Sequence, residues 1–423
     1  MRRLLSLPAL FAAALLPRQA HAQVAVADSG DTAWMILCAV LVLVAALPGL
    51  ILRRAGQTDV RGALSVMGQG LAAAACVSIA WAIVGYSLAY GPGGGWLGGG
   101  GNLLLANLGQ LRDGLTVPES AFVLFQMALA VLAACLVAGA IGPRAHPGWI
   151  VAFSPLWLLI VYAPVARWTW GGGWLAELGA MDFAGALVLH VCGGFSALAI
   201  ALLAGRGDDG RATAHAPVLT LLGGAFLWIG WAGIMGGWAL GATDDAASAI
   251  LNACLAASAA ALVRALIDRL LDGRSSATGI ASGALAGLVA ISASAPLVGA
   301  GGALMIGVIA AALCRAGSAV LASRLDDGGA FAIHGLGGIV GMLLLPIFTL
   351  PLMGGVGFDA SISVPGLLLS QATGVAVVAL WAMAGAAIIA LLVSMVIPLR
   401  TAETGEPDGR DSMPHGEQEW DNR

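Results

Sequence analysis

Lysine is absent from this 423-residue chain, every one of its nineteen basic residues being arginine, and charged residues of both signs make up only 10%. So thin a charge cover leaves no basic face for a nucleic acid. Cysteine occurs six times, at Cys38, Cys76, Cys135, Cys192, Cys254 and Cys314, each in a separate apolar run and never as CxxC. That spacing excludes a thiol redox motif or a cysteine zinc site and leaves small packing residues. What the chain does hold is 59% hydrophobic residues, 61 glycines and a mean hydropathy of +0.92. Those values exclude an ordinary soluble domain and point to a bilayer.

Crossing the hydrocarbon core as a helix takes about 20 apolar residues. Runs of that kind are centred near Val42, Ala75, Val131, Leu158, Ala197, Leu227, Ala256, Leu288, Ile306, Val340 and Val378, which predicts an all-α membrane protein with eleven transmembrane helices. Ahead of them, two arginines, the apolar stretch Leu4 to Leu16 and Ala20-His21-Ala22 fit a secretory signal cleaved after residue 22, the alternative being a twelfth helix. Residues 23–398 then form the membrane domain and 399–423 a polar tail. Apart from the arginines of the signal, fourteen fall in alternate loops and the tail, with only Arg112 and Arg167 opposite. The positive-inside rule places the arginine-rich side in the cytoplasm, the mature N-terminus outside and the C-terminus inside.

Two histidines stand where water is scarce. In "DFAGALVLHVCGG" Asp182 precedes His190 by eight residues and Gly193-Gly194 follow; Asp326, His334 and Gly337-Gly338 repeat the spacing. The pattern recurs in the fifth and the tenth span. Five is odd, so the second set of five crosses in the opposite sense, an inverted repeat whose functional sites gather at the midplane. A pseudo-twofold between the fifth and tenth spans brings His190 and His334 together, and the eleventh span lies outside the repeat. Small-xxx-small spacing in "ATGIASGALAGLVA" and "GAGGALMIGV" lets helix backbones touch, while "GPGGGWLGGGGN" reads as a flexible loop.

One buried histidine is often a helix-helix hydrogen bonder; two in symmetric frames suggest a lumen. No Cys, Asp or Glu lies three or four residues from either, so no metal site is expected. Each neutral imidazole has one donor and one acceptor nitrogen, which suits a proton or a small molecule that both donates and accepts. Moving an intact cation through an apolar passage costs about 3 kcal/mol even on lenient scales, and deprotonating it at the mouth avoids that cost. Asp182 and Asp326 each precede a helix and read first as caps, though Asp182, on the outer side, also favours an arriving cation.

These residues resemble the Amt/Mep/Rh ammonium transporter family: "ALPGLIL", "IVGYSLAYG", "VLFQ", "WTWGGGWL", "DFAGALVLHVCGG", "WIGWAGI", "AIHGLGGIVG" and "GGVGF" occur in order over nearly the whole mature chain. The resemblance implies eleven helices as five plus five and one extra, assembled as a homotrimer with one pore per subunit and no cofactor. It implies that His190 and His334 are the paired pore histidines, that Trp170 and Asp182 serve cation recruitment, and that Phe125 stands at the outer gate. The remaining gate positions depart from the family's usual aromatics, with Leu129 and Ile234. Trp238 replaces a small hydroxyl residue at the recruitment site and either offers a second ring face to a cation or fills the vestibule. Arg53, Arg54 and Ala55 replace an aromatic and glycine set in the first span. The tail "GRDSMPHGE" resembles a cytoplasmic segment that implies subunit communication and docking of a PII-type nitrogen regulator, with Arg410 where leucine is usual.

The function expected is ammonium or ammonia transport across a bacterial inner membrane, with no enzymatic activity. The rivals are a slow or closed ammonium receptor that signals through its tail, and a channel for another small neutral molecule.

Overall fold

The computed structural model describes residues 26–58, 62–205, 216–321 and 329–401. Among the described residues ten helices are long and apolar enough to span a bilayer, with one shorter apolar helix among them. In chain order they are α1 (Ser29–Gln57), α2 (Ala63–Tyr90), α3 (Glu119–Ala138), α4 (Pro147–Glu177), α5 (Ala186–Ala204) and α6 (Pro217–Trp238), followed by α7 (Asp244–Asp272), α8 (Ala277–Ile291), α9 (Ala300–Leu321), α10 (Ala330–Phe348) and α11 (Val364–Ser394). No strand accompanies them among the described residues, only isolated bridges. The fold is therefore all-helical, as the apolar runs predict. The expected signal, Asp326 and most of the tail lie outside the described residues.

Helix α8 is the departure. Its 15 residues rise about 22 Å at 1.5 Å each, short of a ~30 Å core. Serine and proline in "ISASAPLVG" end the helix early, and the turns that follow have their carbonyls taken. Ser292 and Ala293 accept from the Ala184 and Phe183 amides at 2.7 and 3.0 Å. The Asn252 side chain donates to Ala295 and Val298, each at 2.8 Å. Irregular backbone at membrane depth is tolerated where protein supplies the missing partners.

Glycine sets how closely the halves approach. Where α1 crosses α6, a Cβ on Gly223 would lie 2.3 Å from the Arg53 nitrogen, and one on Gly230 2.2 Å from that of Ala46. Where α5 crosses α10, a Cβ on Gly194 would lie 2.4 Å from the Gly335 nitrogen, and one on Gly338 2.5 Å from the Ala186 oxygen. These pairings run antiparallel and join equivalent helices of the two halves, as an inverted repeat requires. Backbones that close exclude any side chain between them, so the glycines after each histidine make the contact.

Helix α11 stands outside the two sets and packs on α5, α10 and α4. Just beyond it, Leu399 accepts from His146 and Thr401 donates to Arg144, so the start of the tail is pinned beside the α3–α4 connection. Leu262, Leu270, Val320, Leu369 and Leu380 are exposed on the outward faces of α7, α9 and α11, an apolar surface of the kind lipid covers. Cys38, Cys135, Cys192 and Cys314 are buried, Cys76 and Cys254 half-buried, and all six are free.

Candidate functional site

The two histidines enter the molecule on matching turns. Gly185 (φ 101°) and Gly329 (φ 74°) are left-handed, a conformation glycine adopts without strain. Each opens a π-helical turn, Ala186–Val191 and Ala330–Gly335, and each histidine lies five residues past its glycine. A π turn widens the helix by a residue and turns a side chain off the regular stripe, a device common at functional sites. Here both rings point to the α5–α10 crossing, where the Nδ1 atoms of His190 and His334 lie 3.2 Å apart.

That contact fixes the chemistry of the pair. One Nδ1 must carry a proton and the other a lone pair, so the remaining Nε2 atoms are one acceptor and one donor. Two imidazolium rings would set N–H against N–H, so the pair holds one extra proton at most. His190 is 2% exposed and His334 5%, and the His190 Nε2 meets no partner among the described residues. The space beside them is lined by Leu50, Leu132, Leu136, Leu189, Leu227 and the Trp231 ring. Its free volume of about 10 Å³ is room for roughly one water-sized molecule.

Trp231 was not singled out by the sequence, and it forms a wall of this space. Its ring stacks on His190 at 5.2 Å and 18°, while its Nε1 donates to Ser292 at 3.2 Å. The signal was present in "WIGWAGI", since residue 231 lies one turn from Ile234 on the same face of α6.

Asp182 and Trp170 meet ahead of α5. The Asp182 carboxylate accepts from the amides of Gly185, Leu187 and Val188 at 2.9–3.0 Å, which ties down the turn that carries His190. Burial pushes this carboxyl up to about 6, against the pull of those amides. Its backbone oxygen accepts from the Trp170 indole at 2.9 Å. Gln371, on α11, clamps the preceding residue: its amide accepts from Met181 N and donates to Met181 O, both at 2.8 Å. No local pattern marks Gln371, because its partner lies 190 residues away.

Phe125, Leu129 and Ile234 all have no exposed surface. Above them Trp238 rests on Trp170 with centroids 4.1 Å apart and meets the Phe125 ring edge-on at 6.0 Å. Next to Phe125, the Gln126 side-chain Oε1 accepts from the Tyr90 hydroxyl at 2.8 Å. A second cavity reaches His334 and is lined by Arg53, Arg54, Gln57 and Gln69. Arg53 donates to Ser282 at 2.8 Å and to Gln57 at 3.2 Å, and Arg54 to the Gly139 carbonyl at 2.7 Å. Trp170, Trp238 and Phe125 thus meet in one group of rings and His190 and His334 in another, with Leu129 and Ile234 fully buried and Asp182 bracing the turn that carries His190.

Residues 33–420 match the family described as "Ammonium Transporter Family". The chain is 36% identical over 403 residues to an "Ammonium transporter" of Bacillus subtilis (strain 168), covering 92% of this chain and 98% of that one. It is 34% identical over 395 residues to "Ammonium transporter Amt1" of Archaeoglobus fulgidus, covering 92% and 99%. Among solved structures it is similar to a "Sensor Amt Protein", with TM-score 0.81, 30% identity and coverage of 88% of this chain and 95% of that chain. It is also similar to Mep2 of Candida albicans, with TM-score 0.80, 32% identity and coverage of 89% and 87%.

Proposed function

The chain belongs to the ammonium transporter family, and from that premise we propose that it moves ammonium nitrogen across the bacterial inner membrane as a transporter, not as an enzyme. Ammonium arrives at the Trp170 mouth, which faces out, drawn by the ring face of Trp170 and by the charge of Asp182, with Trp238 at the same recruitment site. It gives up its proton there, because an intact cation in the apolar passage is costly. Phe125, Leu129 and Ile234 form the outer gate. Ammonia, a donor and an acceptor at once, then passes the complementary nitrogens of His190 and His334, and the pair can take the proton onward. Asp182 caps the turn ahead of His190. The observation that supports this reading most is the Nδ1···Nδ1 contact of 3.2 Å inside an apolar space.

Residues 1–22 direct export and are removed, 23–398 form the membrane domain, and 399–423 lie in the cytoplasm, leaving the N-terminus outside and the C-terminus inside. The assembled form is a homotrimer, and the tail is where a PII-type nitrogen regulator docks. A second reading is an ammonium receptor with little or no conduction. The closed packing of Trp238 on Trp170 favours it, as does the likeness to a structure titled "Sensor Amt Protein".

Purified protein in liposomes, given an ammonium pulse while current and internal pH are recorded, separates the two. Transport predicts a saturable signal; saturable ammonium binding with neither current nor pH change contradicts transport and supports the receptor.

A further inference from the structure

The mouth beside Trp170 is closed by a side chain, and the two indoles there are held very differently. Trp170 is fixed by its hydrogen bond to the Asp182 carbonyl. Trp238 is half-buried, and its Nε1 sits in a buried position with no acceptor among the described residues. An indole N–H without a partner favours any rotation that brings it to water.

The separation decides what the pair can hold. A cation between two ring faces needs about 7 Å between them, twice a contact distance of about 3.5 Å. The centroids of Trp170 and Trp238 are 4.1 Å apart with a 44° tilt, so each ring fills the place the cation would take on the other. Below this level Phe125, Leu129 and Ile234 are fully covered.

The backbone under Trp238 has no room to shift. A Cβ on Gly237 would lie 2.3 Å from the Phe125 ring, and one on Gly236 2.7 Å from the Trp34 ring. Trp34 also donates its indole N–H to the Gly236 carbonyl at 2.8 Å. Motion at this point belongs to the Trp238 side-chain torsions.

We propose that Trp238 is the door of this pore: its indole shuts the mouth by lying on Trp170 and swings outward to admit the cation to the Trp170 face and the passage below. The aromatic barrier thus sits at the Phe125–Trp238 level, one turn above the aliphatic part of the gate formed by Leu129 and Ile234. This inference rests on the reading that the Trp170 mouth receives ammonium.

The test uses the full-length protein in liposomes with two measurements. In Leu129→Cys, modification by a small charged methanethiosulfonate added outside is followed residue by residue, with the unsubstituted protein as blank. Adding Trp238→Ser is expected to speed modification at position 129 at least tenfold, and Trp238→Phe to fall between. An equal rate in all three overturns the door. In the otherwise native chain, Trp238→Ser is expected to raise ammonium flux several-fold; unchanged or lower flux beside an active parent overturns it too. Faster modification with no flux in either protein upholds the door and instead removes the transport reading on which it was based.

Discussion

The α5–α10 crossing can be loosened by a single methyl group. In Gly194→Ala the new Cβ would lie 2.4 Å from the Gly335 nitrogen, about 1 Å inside ordinary contact, which begins at 3.4 Å. Its second neighbour, Gly335 Cα at 2.6 Å, is backbone as well. No side chain can turn away, so the helices must part by about that 1 Å or strain in place. Overpacking of this kind costs about 1–3 kcal/mol. A parting of about 1 Å also takes the histidine nitrogens from 3.2 Å to beyond hydrogen-bond reach, losing about 1 kcal/mol more. The expected total is about 2–4 kcal/mol, read as earlier denaturant unfolding of the purified protein in detergent. Ammonium flux in liposomes is expected to fall at least tenfold even in the folded fraction, because the relay nitrogens no longer meet. Gly301, where an added Cβ would have nothing within 4 Å, supplies the control, and Gly301→Ala is expected to change neither quantity. A Gly194→Ala protein with native unfolding and native flux would refute the argument that glycine contact brings the histidines together.

Three further outcomes follow from the same geometry. Gln371→Leu removes two hydrogen bonds to Met181 and strands that backbone, so the protein should lose about 2–4 kcal/mol in denaturant unfolding and gain amide exchange at residues 181–188. Asp182→Asn leaves one carbonyl oxygen for three amides and removes the charge; flux and stability should both fall, whereas a role confined to charge would leave unfolding unaltered. Trp231→Phe keeps a ring beside His190 but drops the bond to Ser292, and should cost about 1 kcal/mol while retaining most of the flux, a result checked by the same two assays.

Much of this arrangement is legible along the chain because a bilayer penalises polar groups so heavily. His190 and His334 stand out against an apolar background, and their shared frame with the following glycines implies the antiparallel crossing that the structure contains. The helix count follows from run length, except that α8 is shorter than its run, since Ser292 and Ala293 give their carbonyls to the loop before α5. Gln371 and the Met181 backbone illustrate what stays hidden: a polar residue in a long apolar helix announces a partner but not which one. The π turns are equally silent, because one extra residue in a helix leaves the hydrophobic pattern nearly unchanged. Trp238 was readable as a ring near the mouth, but whether that ring offers a face to a cation or covers Trp170 is decided only by its rotamer.

The central claim is that His190 and His334 act together on a deprotonated ammonium. Its most direct test records current and internal pH side by side in liposomes of equal protein content, for the native chain, His190→Ala and His334→Ala. The account predicts that each substitution removes or uncouples the proton signal while ammonium still binds at the mouth. Native current and pH change in both variants would contradict it.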